Sequence, residues 1–224
     1  MAPTPRNLPN RSPTRRARDR DEILDAAARV FRRRGYRAST VEDIATELGI
    51  LKGSLYHYID SKQELLYEVV VGPLRLANTK LHAVLEGGGS VESRLRGACR
   101  AHMEVIRDEF PRLTIALTER LELPDEQIRE LRELMRRYEQ QWEHVIQEGI
   151  LAGAIRADLD ARMTTLAFLG MLNWASQWYR HDGELAAEHI GAAFADIGLR
   201  GILEEAAGAE SFPHPTGTSE GPSS

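Results

Sequence analysis

The side chains best suited to binding chemistry lie close together in the segment GILKGSLYHYIDSKQEL, residues 49–65. It holds two lysines, two serines, two tyrosines and a histidine, with no acid–base pair and no metal-ligand spacing. Lysine can reach a guanine or a phosphate, hydroxyl groups can bond to phosphates, and a tyrosine ring can pack on a thymine methyl group. These residue types indicate contact with DNA rather than catalysis.

Two short helices joined by a tight turn would place these side chains on one surface. Thr40 is a good N-cap for a helix that ends at Gly49, and a further helix is predicted from about Lys52 to Ile59. Ala45 is small enough to let the two helices cross closely. The apolar core beneath the turn would consist of Leu48, Ile50 and Leu55.

This pattern predicts a helix-turn-helix, in which the second helix lies in the major groove and the first crosses the DNA backbone. Thr40 and Lys62 would contact phosphates from the starts of their helices. The predicted DNA-binding residues are Thr40, Lys52, Gly53, Ser54, Tyr56, His57, Tyr58 and Lys62. An ordinary helical hairpin with a polar surface is the alternative at this point.

The charge distribution also favours a polyanion at the N-terminal end. Residues 1–62 carry 13 Lys/Arg and 8 Asp/Glu, whereas residues 63–224 carry 16 and 26, so the net charge of −5 hides a basic front on an acidic body. The segment 1–16 is rich in proline and arginine and reads as a disordered basic arm that can follow a DNA backbone or minor groove. A basic tail with no partner is the alternative.

No segment has a convincing strand period, so the predicted fold class is all-α, with about nine helices. We divide the chain into the arm at 1–16, a three-helix DNA-binding domain at 17–65, a helical domain at 66–206 and a disordered Ser/Pro/Gly-rich tail at 207–224. The first helix is predicted from about Asp19 to Arg34. A bend is predicted in the fourth, at Gly72–Pro73, because an interior proline loses a hydrogen bond.

The segment TVEDIATELGILKGSLYHYIDSKQELL, residues 40–66, resembles the TetR family of bacterial transcriptional repressors. The close match covers about residues 20–70. Leu51 stands where the family often has serine, and Tyr58 where histidine is frequent. The matching positions are Thr40, Ile44, Ala45, Gly49, Lys52, Gly53, Ser54, Leu55, Tyr56, Ser61, Lys62, Leu65 and Leu66.

The resemblance implies a ligand-responsive repressor that binds an operator as a homodimer, joined through its last two helices. The eighth helix is apolar almost all round from Leu166 to Ala175, and the ninth carries small residues that permit close helix approach. A helix buried within one subunit is the alternative. The small residues are Gly191, Ala192, Ala193, Ala195 and Gly198.

Aromatic side chains in the seventh and eighth helices suggest an apolar ligand pocket, although an ordinary aromatic core is the alternative for each of them. The segment NWASQWYRHDG, residues 173–183, resembles TetR-type regulators of fatty-acid and steroid catabolism, for which acyl-CoA thioesters act as inducers. The predicted ligand-binding residues are Tyr138, Trp142, Trp174, Trp178 and Arg137. Candidates for the CoA phosphates are Arg112, Arg120, Arg137 and Arg180.

The chain carries no HExxH, GxSxG, Walker-A or GxGxxG motif, so we expect neither an enzyme nor a cofactor or metal. The single Cys99 excludes an intramolecular disulfide, and no secretory signal or membrane span is visible, which predicts a cytoplasmic protein. A drug-responsive regulator of an efflux gene and a DNA-binding regulator gated by a protein partner are the remaining alternatives.

Overall fold

The computed structural model describes residues 13–180 and 182–203, and within them the chain is helical. The all-α prediction is confirmed, and none of the described helices is long and apolar enough to cross a membrane. The helices in the described part are α1 (Pro13–Arg34), α2 (Val41–Glu47), α3 (Lys52–Leu55), α4 (Lys62–Glu86), α5 (Val91–Asp108), α6 (Phe110–Thr118), α7 (Asp125–Leu151), α8 (Ala161–Trp178) and α9 (Ala187–Ile202).

Two helix boundaries and the predicted bend in α4 differ from the sequence prediction. Helix α1 begins at Pro13 rather than near Asp19, so the end of the predicted arm is helical, whereas residues 1–12 and the tail at 207–224 lie outside the described residues. Helix α3 ends at Leu55, and tight turns continue the chain to Tyr58. Helix α4 runs through Pro73 without interruption.

The helix starts predicted from local signals are present. Thr40 and Asp43 form a reciprocal capping box at α2, and the Ser61 hydroxyl accepts a hydrogen bond from the Glu64 amide at α4. Gly49 has φ +67°, a left-handed conformation that residues with a side chain rarely adopt, and it ends the turn after α2. These devices fix the short helices where propensity alone is weak.

The described residues form two apolar cores. We call α1–α3 the head and α4–α9 the body. One core lies wholly within the body and includes Met103, Trp142 and Phe168. The other contains the buried residues of the head together with the first half of α4, Ile115 of α6 and Leu131 of α7. The head is therefore packed on the body through a shared core.

Helix α9 lies along α5, and three of its small residues pack inside the chain. An added Cβ at Gly191 would lie 3.1 Å from the Cys99 carbonyl oxygen, and one at Gly198 would lie 2.5 Å from the Phe168 ring. Ala195 is also buried, whereas Ala192 and Ala193 are exposed. The prediction that these small residues serve a partner is therefore wrong for Gly191, Ala195 and Gly198, because these three permit close packing within the chain.

Candidate nucleic-acid interface and ligand cavity

The head presents one polar surface around α3. Leu55 is fully buried, and this anchors the helix so that its neighbours turn outward. Ile50, predicted to be part of this small core, is 37% exposed, because the turn after Gly49 carries it to the surface. The exposed predicted DNA-binding residues of this surface are Lys52, Gly53, Ser54, Tyr56 and His57, and Tyr58 is half-buried.

The exit of α3 is held by Arg20 of α1. Its guanidinium donates to the Tyr58 carbonyl oxygen at 2.6 Å and to the Glu64 carboxylate at 2.8 Å. Glu64 in turn accepts from the Asp60 amide at 2.6 Å. Arg20 therefore fixes the position of α3 relative to α1 and α4.

Two residues predicted to contact phosphates, Lys62 and Thr40, make hydrogen bonds within the chain. Lys62 Nζ donates to the carbonyl oxygens of Tyr36 at 2.8 Å and Ser39 at 2.7 Å, and it lies 4.3 Å from the centre of the Tyr36 ring. The Thr40 hydroxyl accepts from the Asp43 amide and donates to its carboxylate. Lys62 ties α4 to the loop before α2, and a phosphate at Thr40 would have to compete with Asp43.

A cavity of about 510 Å³ lies in the body between α4, α5, α6, α7 and α8. Its wall is mainly apolar, and its more exposed members, among them Leu117, Met135 and Trp174, mark the rim. Two wall residues, Val70 and Leu131, also belong to the core that the head shares with the body. A molecule in the cavity would touch side chains that pack against the head.

A polar pair interrupts the apolar wall. His102 Nδ1 lies 2.9 Å from the Tyr138 hydroxyl oxygen, and both side chains are buried. Burial lowers the pKa of His102 to about 4, against the opposing effect of a hydrogen bond with Asn173, so the ring is neutral near pH 7. Burial likewise raises the pKa of Tyr138. The three side chains offer a ligand uncharged donors and acceptors.

Only part of the predicted ligand set lines this cavity. Tyr138 and Trp174 do, whereas Trp142 lies one helical turn further along α7, fully buried, with its ring 5.8 Å from that of Phe168. Trp178 packs edge-on against Phe194, and Arg137 is exposed and absent from the wall. Residue 137 lies about 100° around the helix from 138, which turns it away from the cavity.

The predicted arginines occupy separate places. Arg120 is exposed and belongs to the cavity lining. Arg180 lies in another cleft beside Asp182, 3.4 Å from its carboxylate. Arg112 is buried, and its guanidinium contacts Asp25 at 2.9 Å and Glu109 at 3.3 Å. Arg120 is therefore the one of these four that could meet a phosphate at the cavity.

Arg112 instead bridges the body and the head. It lies on α6, while Asp25 and Asp21, whose carbonyl oxygen accepts from Arg112 at 3.2 Å, lie on α1. A second bridge runs from Arg37 to Glu122 at 2.8 Å. Because α6 also supplies Leu113, Ala116 and Leu117 to the cavity wall, this helix contacts both the cavity and the head.

Family models match both halves of the chain. The model of bacterial regulatory proteins of the tetR family matches residues 23–69, and that of the tetracyclin repressor-like C-terminal domain matches residues 88–202. The chain belongs to the TetR family. It is thus a DNA-binding transcriptional regulator, not an enzyme, and the first of these two models covers most of the head.

Several relatives of this TetR-family protein span nearly its whole length. The HTH-type transcriptional repressor KstR2 of Mycolicibacterium smegmatis is 35% identical over 86% of this chain and 95% of that protein. The structure of the ketosteroid transcriptional regulator KstR2 of Mycobacterium tuberculosis has TM-score 0.75 and 30% identity, covering 89% of this chain and 100% of that one. The regulator PfmR from Thermus thermophilus has TM-score 0.74 and 32% identity, covering 80% and 97%.

Replacing Lys62 and replacing Lys52 of this TetR-family protein should have different effects on stability and DNA binding. Lys62→Met should destabilise the fold by about 1.5–3 kcal/mol, because two carbonyl groups lose a charged donor. Lys52→Met should leave stability within about 0.5 kcal/mol, since Lys52 is exposed, but weaken DNA binding and reduce the salt slope by about one. Urea unfolding and salt-dependent anisotropy separate the two; equal loss of stability would contradict the assignment.

Stability should fall as the pH is lowered from about 6.5 to about 4. In the folded protein the pKa of His102 is lowered to about 4. Between these pH values the unfolded chain therefore binds a proton at His102 and the folded chain does not. The loss from this group should approach about 3 kcal/mol at the acid end. His102→Gln should remove that part of the pH profile, whereas the same change at exposed His144 should not. Urea unfolding at several pH values measures both; identical profiles for the two variants would refute the assignment.

Proposed function

We propose that this regulator binds a palindromic operator as a homodimer and is released when a small hydrophobic ligand enters the cavity. The observation that carries the proposal is that Val70 and Leu131 line the cavity and also belong to the apolar core that contains the buried residues of the head. A ligand that prefers a different packing of these residues would bias the position of the head. Because its operator is DNA, we place the protein in the cytoplasm.

The homodimer is supported by an apolar face on α8 and α9. Four of its residues recur at helical spacing along α8 and one lies on α9, and all five are exposed although they are large and apolar. The face consists of Met163, Leu166, Trp174, Trp178 and Ile197. A symmetric pair of heads would contact two half-sites about 34 Å apart or a multiple of that distance.

The ligand we propose is an acyl-CoA thioester. A cavity of about 510 Å³ suits an acyl or polycyclic group, and its apolar wall would not accept the CoA phosphates without large desolvation cost. Those phosphates would stay outside the rim, where Arg120 lies. The neutral His102–Tyr138 pair suits a carbonyl or hydroxyl oxygen, and the ketosteroid in the name of the KstR2 structure fits this chemistry.

A cationic drug is the second candidate, which would make the protein a regulator of an efflux gene. One carboxylate, that of Glu139, lines the cavity among the described residues and could pair with a positive charge. The apolar wall suits a flat hydrophobic molecule about as well as it suits an acyl group.

The function is tested by fluorescence anisotropy of the full-length protein on the DNA upstream of its own gene. The competitors are acyl-CoAs, the matching free acids, CoA alone and cationic dyes. Release by an acyl-CoA, without release by CoA or the free acid, is the expected result. Release by dyes alone would support the efflux candidate, and specific binding that no competitor disturbs would exclude both and favour control by a protein partner.

We further propose that Arg112 transmits the ligand response. The ligand must bind the DNA-incompetent arrangement more tightly than the competent one, because equal affinities shift nothing. A coupling of roughly 1–3 kcal/mol would weaken operator binding about 5–150-fold. Helix α6 can carry it, since it contributes to the cavity wall and holds α1 through Arg112 and Asp25.

Asp25→Asn should therefore reduce the ratio of operator affinities without and with the releasing ligand by about 3- to 10-fold, because a contact between body and head is weakened. Glu47→Gln is the control, since Glu47 pairs with Arg29 and Arg33 inside the head. Operator titrations with and without ligand measure the ratio, and a change equal for both variants would contradict this path.

A further inference from the structure

Leu51 is an apolar residue on the polar surface around α3 that carries most of the predicted DNA-binding residues. It is 81% exposed and directly precedes Lys52 at the start of α3. Exposure alone means little, since Leu121 and Leu151 are 79% and 80% exposed elsewhere in the chain. What separates Leu51 from them is its place at the start of α3, the helix predicted to enter the major groove.

Leu51 also occupies a position at which leucine does not help the fold. It is the N-cap of α3 and makes no side-chain hydrogen bond there, whereas Thr40 and Ser61 cap the two neighbouring helices with their hydroxyls. Serine, threonine, aspartate or asparagine would satisfy an amide of the first turn. Leucine gives up that bond and, at 81% exposure, gains almost no burial in return. A leucine at an N-cap position that adds nothing to the stability of the fold suggests a functional role for its side chain.

We propose that Leu51 contacts the 5-methyl group of a thymine in each operator half-site and so selects the base pair at that position. Residues at the N-terminal end of a recognition helix are the ones that meet base edges. The thymine methyl is the apolar group on the major-groove edge, and a leucine side chain can neither donate nor accept a hydrogen bond. Leu51 thus adds a base-selecting contact beside Lys52, whose charge can reach a phosphate or a guanine.

The contact has a defined energetic signature. Losing a leucine–methyl contact should weaken binding to the specific operator roughly 5- to 20-fold. It should leave the salt dependence unchanged, because that dependence counts neutralised phosphates. Binding to unrelated DNA should also be unchanged, since that binding rests on the phosphate backbone.

The test replaces thymine by uracil, which removes the methyl group and nothing else. The full-length protein first selects duplexes from a random library, and each thymine in one half-site of the selected sequence is then changed in turn. Anisotropy titrations use the wild type, Leu51→Ala, Leu51→Ser and the matched control Leu151→Ala, whose leucine is equally exposed but lies in the body.

One uracil position should weaken wild-type binding about 5- to 20-fold and have little effect on either Leu51 variant, while the Leu151 variant follows the wild type. Leu51→Ser should keep or raise the thermal unfolding midpoint, since serine can cap α3. The proposal is overturned if no position responds, or if the Leu51 variants respond like the wild type. It is also overturned if their loss of affinity accompanies a lower midpoint or a changed salt slope.

Discussion

The head cannot bury its own apolar surface, and the rest of the structure depends on how the body covers it. Three helices within about 50 residues enclose only a marginal core. Leu65, Leu66 and Val69 of α4 therefore complete it, together with Ile115 of α6 and Leu131 of α7. This shared core also includes Val70 and Leu131, which line the cavity, so the packing of the head and the shape of the cavity depend on common side chains.

This arrangement gives the regulator few stable intermediate positions. Close-packed side chains change by discrete repacking rather than by gradual deformation. The buried Arg112 adds to this, since a guanidinium removed from water must keep its carboxylate partners, and these lie on α1 and at the junction of α5 and α6. A head that moves relative to the body must carry these partners along or exchange them.

The sequence predicted the head well because its signals are local: a capping box at Thr40, a turn glycine at 49 and a helical period. It could not predict that Lys62 bonds to carbonyl groups at positions 36 and 39, because that contact depends on how α4 crosses the loop. The helical period of α7 likewise places Tyr138 and Trp142 on one face. Only the packing of α8 decides that Tyr138 lines the cavity and that Trp142 is buried in the core. His102 was missed because a lone histidine in α5 belongs to no motif; its apolar neighbours were the only signal.

Trp174 lies both on the cavity wall and on the apolar face of α8, at 66% exposure. If that face joins two copies, one indole belongs at once to the ligand site and to the subunit contact. Thermodynamic linkage then acts in both directions: the factor by which a ligand changes the dimerisation constant is the factor by which dimerisation changes the ligand affinity. The intracellular abundance of the regulator would thereby help to set the inducer concentration at which its genes respond.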